Sequence, residues 1–129
     1  MALNKLISDV IVIGAGPAGC ASAIELSRNG LKVTLIDKAE FPRDKCCGDG
    51  LTTDALRILE EIGLKTEAIP NWNTITDAVL YSPKGRRAQL PLPNKQGQFA
   101  AVVPRLELDA ELLKLAESSG VQVETPLSF

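Results

Sequence analysis

Hydrophobic and polar positions follow three different periods along this chain. Val10 to Ile13 is a continuous β-branched run, the composition of a parallel strand covered on both faces. After a glycine-rich turn the period becomes helical from Pro17 to about Asn29, and Gly30 stops it. Lys32 to Ile36 is a second short apolar strand, whereas Lys38 to Gly50 is too rich in Pro, Gly and charge for regular structure. Asp54 to Ile62 places Ala55, Ile58, Leu59 and Ile62 on one helical face, with Thr52 or Thr53 as N-cap and Gly63 as terminator. From Asn71 the period shortens. Thr74 to Ser82 and Arg87 to Leu92 read as a hairpin around Pro83 to Arg86, and Phe99 to Val103 as a third strand after the turn-prone Pro93 to Gly97. Arg105 to Ser119 then predicts a helix with Leu108, Leu112, Leu115 and Ala116 on one face, Gly120 caps it, and Val121 to Val123 resembles the next parallel strand. The pattern is that of an α/β protein: a Rossmann-like, dinucleotide-binding parallel sheet over residues 1–129, with an antiparallel β insertion at 72–103 in the crossover. A doubly wound fold needs at least a third strand beside the first, and the chain reaches one just before Phe129. An incomplete domain, the opening portion of something larger, is the expectation.

Composition narrows the function. With 129 residues, 45% of them hydrophobic, and a net charge of −2, this is one globular domain. No basic block is present and five aromatic residues furnish no stacking surface, so nucleic acid is not an expected partner. Glycines and Pro17 break the apolar stretch from Val10 to Ala23, which excludes a membrane span, and the N-terminal MALNKLIS lacks a signal-peptide core. A cytoplasmic location follows by default. The three cysteines, Cys20, Cys46 and Cys47, match neither a disulfide framework nor a zinc spacing, and Cys20 reads as core. Histidine is absent, which removes Ser-His and Cys-His dyads and His-ligated metals. Chemistry in this chain would therefore be carried by a cofactor.

The candidate chemistry sits in the turn after the first strand. Gly14, Gly16 and Gly19 have the G-x-G-x-x-G spacing between a strand and a helix, the context in which it signals dinucleotide binding. The first glycine allows the sharp turn, the second the approach of a pyrophosphate, and the third close packing of helix on sheet. Pro17 and Ala18 open the helix, and the first-turn N–H groups between Pro17 and Cys20 would face the anion. Asp37 ends the second strand, 18 residues beyond Gly19, with Lys38 beside it. A carboxylate there accepts hydrogen bonds from ribose hydroxyls and repels a 2′-phosphate, disfavouring NADP.

Phe41 to Leu51, FPRDKCCGDGL, together with VIVIGAGPAGCASAIEL, Asp37 and VPRLELDAELLKLAESSGV, resembles the geranylgeranyl reductase family of flavoproteins, similar in fold to aromatic hydroxylases and flavin-dependent halogenases. The resemblance covers nearly the whole chain and roughly the first third of such a protein. It implies that Gly14, Gly16 and Gly19 bind the FAD pyrophosphate and that Asp37, where glutamate is more usual, binds the adenosine ribose. Arg43 and Arg105 match arginines lying along the FAD, and Cys47, Gly48, Asp49 and Gly50 match a loop near the flavin ring and substrate. Arg suits phosphate and planar-ring contacts, and Gly48 and Gly50 permit close backbone approach. No catalytic group is identified beyond Cys47, for which a buried structural role is the competing reading. The family's later Gly-Asp segment and substrate-pocket sheet have no counterpart in these residues. What the resemblance implies is the FAD-binding part of an oxidoreductase that reduces isoprenoid carbon–carbon double bonds, with NAD(P)H as electron donor and a location peripheral to a membrane. A monooxygenase or halogenase is the alternative chemistry, and a non-catalytic nucleotide-binding remnant or an NAD module the alternative class.

Overall fold

A computed structural model describes residues 7–93 and 97–128; the first six residues of the N-terminal segment, residues 94–96 of the turn-prone stretch, and Phe129 lie outside it. Strand β1 (Val10–Ile13) leads through the glycine turn into α1 (Pro17–Arg28) and β2 (Val33–Ile36). After the irregular loop come a two-residue strand β3 (Gly50–Leu51), helix α2 (Thr53–Glu61), a single 3-10 turn (Thr66–Ala68), and β4 (Asn73–Ile75). Then follow β5 (Asp77–Tyr81), β6 (Arg87–Pro91), β7 (Ala100–Val102), α3 (Arg105–Ser118) and β8 (Gln122–Glu124). Thr52 is the N-cap residue of α2, but its hydroxyl caps nothing; the Thr53 hydroxyl instead donates to the Phe99 carbonyl at 2.8 Å.

The parallel sheet has the order β1-β2-β8, with Val10 opposite Val33 and Thr34 opposite Gln122. The third parallel strand thus lies beside β2, correcting the expectation that it would lie beside the first strand. Both right-handed crossovers in such a monotonic order put their helices on one face. There α1 contributes Cys20, Ala23 and Ile24, and α3 contributes Leu108, Leu112 and Ala116, to a continuous core with Val33 and Leu35. Ser27 ties the helices together by donating to the Ser119 carbonyl at 2.8 Å. The expectation that β1 is covered on both faces is not met: Ile11 and Ile13 are 60% and 64% exposed, because nothing among the described residues packs on the far side of the sheet.

Residues 72–103 form two separate pieces. β3 and β4 flank β7 in an antiparallel sheet, with Gly50 and Asn73 both opposite Val102, so the third strand pairs with the end of the 38–50 loop and with the first residues of the expected hairpin strand, which breaks into β4 and β5. β5 and β6 form the isolated hairpin, its turn closed by Gly85 N–H to Ser82 O at 2.9 Å with Gly85 at φ +76°. Arg86 and Arg87 are exposed at its tip. Trp72 packs at the edge of the core and donates through Nε1 to Gln98 Oε1 at 3.0 Å.

Candidate functional site: a nucleotide turn facing two arginines

The three fingerprint glycines answer three different physical demands. Gly14 has φ +101°, which a side chain rarely adopts, and its N–H donates to Ile36 O at 2.7 Å, fixing the sharp turn out of β1. A Cβ on Gly19 would lie 1.8 Å from the Gly14 carbonyl oxygen, so only glycine lets α1 start so close to the turn. Gly16 is different. Its backbone is extended, at φ −77° and ψ −178°, and a Cβ would meet only Arg105 Nη2 at 3.6 Å and Arg43 Nη2 at 3.9 Å, which are ordinary contacts. Nothing among the described residues requires glycine there. The surface it opens is bordered by two guanidinium groups.

That surface also offers unpaired donors. The N–H groups of Gly16, Ala18 and Gly19 have no hydrogen-bond acceptor among the described residues, and Pro17 has no N–H. The N–H of Cys20, expected to face the anion, is instead spent on Gly16 O at 2.9 Å, since it already makes the first intrahelical bond. Free amides at a helix N-terminus, with the dipole behind them, bind phosphate readily.

Asp37 closes the other side of the turn. Its Oδ2 accepts from Ala15 N–H at 2.7 Å and its Oδ1 from Ala39 N–H at 2.8 Å, so the carboxylate clamps the glycine turn to the end of β2. Partial burial pushes its pKa up, but those two amides and the charge of Arg43 outweigh it, and the net direction is down. Each oxygen keeps a further lone pair. Lys38, next to it, is exposed.

Arg43 and Arg105, 62 positions apart in the chain, are brought together by a residue that the periodicity does not single out. Asp109 is completely buried on α3. Its Oδ1 accepts from Arg105 Nε at 2.7 Å, and its Oδ2 from Arg105 Nη2 at 2.8 Å and Arg43 Nη1 at 2.7 Å. The two arginine side chains are only 17% and 14% exposed, so neither is a solvated surface residue. Arg43 also lies over the Phe41 ring, 4.8 Å from its centroid. The hydrogen bond to Asp109 pushes the Arg105 pKa further up. The readable signal for Asp109 was its i,i+4 spacing from Arg105 on one helix.

The remaining loop residues sit at the rim. Cys47 is exposed, correcting the buried structural reading, and its thiol pKa is lowered by the Asp49 backbone N–H first and by Arg105 second. Cys20 is core, as expected, and burial followed by the charge of Asp109 pushes its thiol up to about 12. Asp49 adopts φ +55°, and its carbonyl accepts from Val103 N–H at 3.0 Å, pinning the loop to the start of α3. A Cβ on Gly48 would meet nothing and one on Gly50 only Gly48 O at 3.8 Å, so neither glycine is required by contacts inside the chain.

A dinucleotide pyrophosphate fits this arrangement: a glycine whose missing side chain leaves space between two cations, three free amides, and a carboxylate at the far side of the turn. Among the described residues no group of His, Cys, Asp or Glu could hold a metal ion, and no helix is long and apolar enough to cross a membrane. Comparison with known proteins agrees with that fit. The family described as FAD binding domain matches residues 8–127. Menaquinone reductase of Mycobacterium tuberculosis is 38% identical over 122 residues, covering 90% of this chain and 28% of the relative. Among solved structures, a geranylgeranyl bacteriochlorophyll reductase-like protein of Thermoplasma acidophilum superposes with a TM-score of 0.73 at 30% identity, over 90% of this chain and 29% of that one. A myxobacterial chondrochloren halogenase, described as a variant of FAD-dependent halogenases, gives a TM-score of 0.76 at 25% identity, over 91% of this chain and 28% of that one. The chain thus spans under a third of the length of the proteins it resembles. Matched along almost its entire length, it belongs to the FAD binding domain family.

Proposed function

We propose that this chain grips the adenosine-diphosphate end of FAD in an oxidoreductase that reduces carbon–carbon double bonds of a polyprenyl substrate. The observation that carries the cofactor part is the convergence of Arg43 and Arg105 on Gly16, a glycine with no internal reason to be one. In this reading Gly14, Gly16 and Gly19 shape the turn, the free amides of Gly16, Ala18 and Gly19 hold phosphate oxygens, and Arg43 and Arg105 supply the countercharge. The spare lone pairs of Asp37 take the ribose hydroxyls, with Lys38 adjacent. Cys47, Gly48, Asp49 and Gly50 border the cofactor further along. Bound flavin would supply the hydride for the double bond, with NAD(P)H as its source. The substrate class rests on similarity to a menaquinone reductase and a geranylgeranyl reductase-like protein, whose names both refer to molecules with polyprenyl chains. Such a substrate would bring a cytoplasmic protein to a membrane surface. Residues 1–129 then act as a single cofactor-binding unit with the 72–103 insertion at its side.

The second reading, halogenation or monooxygenation on the same cradle, is favoured by the TM-score of the halogenase. Titration with FAD, ADP and NADH tests the cofactor part: FAD and ADP should compete and raise the melting temperature, and NADH, which shares the adenosine diphosphate, should raise it no more than ADP does. Stabilisation by NADH alone would make this an NAD module. A protein that remains colourless and is unaffected by FAD or ADP would leave the remnant reading. For the chemistry, anaerobic incubation of an oxidoreductase containing this chain with reduced flavin and a polyprenyl lipid should add two hydrogens per reduced bond, detected by mass. Incorporation of oxygen or halide under air would favour the second reading.

A further inference from the structure

Asp109 is the residue left without a role by the fingerprint, and its surroundings assign one. A fully buried carboxylate is costly unless its lone pairs are filled. Here three N–H groups from two arginines fill them, within 2.7–2.8 Å. One of those arginines, Arg105, occupies the first position of α3, where the helix dipole opposes a cation. Helix stability therefore does not explain Arg105. The other, Arg43, comes from the irregular loop, which has no secondary structure of its own to fix a side chain. Asp109 takes Nη1 of Arg43 and Nε and Nη2 of Arg105, and the groups closest to the position of a Gly16 Cβ are Nη2 of Arg43 and that same Nη2 of Arg105, which keeps a second N–H.

We propose that Asp109 is a positioning residue for the anion site: it locks Arg43 and Arg105 into one rigid pair whose remaining N–H groups, on Nη2 of each, border the turn at Gly16. This rests on the reading of the turn as a diphosphate site. The competing account is that Asp109 merely neutralises buried charge, and the two accounts predict opposite signs. In Asp109→Asn the shape is retained and one negative charge near the anion is removed, so electrostatics alone would tighten binding. An Asn side chain, however, presents one acceptor oxygen and an NH2 group to donors on two arginines, and the pair loosens. Positioning therefore predicts weaker binding.

The experiment measures ADP affinity of the chain by calorimetry or competition with FAD, at low and physiological salt, with circular dichroism confirming the fold. The expected result is that Asp109→Asn weakens ADP about tenfold or more, the scale seen when groups behind a binding shell are removed. Unchanged or tighter binding in the folded variant overturns the proposal. Should Asp109→Asn not fold, Arg105→Lys decides: it keeps the charge but cannot engage both carboxylate oxygens as a fork, and ADP affinity should again fall about tenfold. Wild-type-like affinity in that variant overturns the proposal. Failure of the wild-type chain to bind ADP overturns the diphosphate reading itself, and the proposal with it.

Discussion

Replacing Gly16 by Ala should leave the fold intact and remove the nucleotide. On the protein side the costs nearly cancel. The backbone at Gly16 is extended, so alanine adopts it without strain, and the new Cβ makes ordinary contacts at 3.6 and 3.9 Å with the ends of two arginine side chains. Fewer unfolded conformations stabilise by about 0.4–1 kcal/mol. Alanine is a poorer N-cap residue than glycine, which costs about 0.5 kcal/mol, leaving a net change within about 0.5 kcal/mol of zero. On the ligand side the same methyl stands between the free amides and the guanidinium pair. A phosphate oxygen held off by it loses charge-assisted hydrogen bonds worth about 1.5–3 kcal/mol each. Losing two of the three amides costs about 3–6 kcal/mol, a fall in affinity of at least about 100-fold. Thermal unfolding with and without ADP separates the two effects: equal melting temperatures without ligand, and a ligand-induced rise only in the wild type. Gly19→Ala is the control, because its Cβ would sit 1.8 Å from a carbonyl oxygen and the variant should lose about 3 kcal/mol or more without any ligand. A Gly16→Ala protein that binds ADP as the wild type does would refute the assignment of this surface to the pyrophosphate.

Two further outcomes follow from the charged groups. Asp37→Asn keeps one acceptor for the Ala15 and Ala39 amides and loses the charge, so it should be about 1 kcal/mol less stable at neutral pH. Because the folded carboxyl has a lowered pKa, its contribution is fully present above the ordinary value of 3.8 and lost as pH falls through the folded value. Urea denaturation should therefore show the difference narrowing below about pH 3.8, and a constant gap would contradict the clamp. In a Cys46→Ser background, iodoacetamide should modify Cys47 rapidly near neutral pH and more slowly in Arg105→Gln, since the guanidinium helps lower that thiol. Peptide mapping should find Cys20 untouched until the protein unfolds, its buried thiol being pushed up to about 12.

What could be read from the sequence was whatever is fixed within a few residues. The order of strand, glycines and helix specifies the turn locally, and the reasons for Gly14, Gly16 and Gly19 each reappear as a torsion angle or a contact distance. The exposure of β1 could not be read the same way. An apolar run records what a strand tolerates on its two faces, but what covers each face is decided by strand order, and here the third strand pairs with β2. Likewise the loop from Lys38 to Gly50 looks irregular because its organising contact is remote. Arg43 is held by Asp109, 66 residues later, and Asp49 by the amide of Val103.

Asp109 was missed for a more specific reason. Counting apolar positions on α3 selects Leu108 and Leu112 and passes over the acid between them, although that acid is as buried as its neighbours. A buried carboxylate is tolerated only when donors reach it, so its burial already implied partners. Arg105, at i−4 and in a helix position unfavourable to a cation, was one that could have been found in the sequence. The second could not, because a single guanidinium already offers the carboxylate a bidentate pair. The third N–H on the carboxylate, the second on Oδ2, comes from a loop across the turn and is more than neutralisation requires, and this excess makes the cluster a device for aiming two cations as well as for burying one anion.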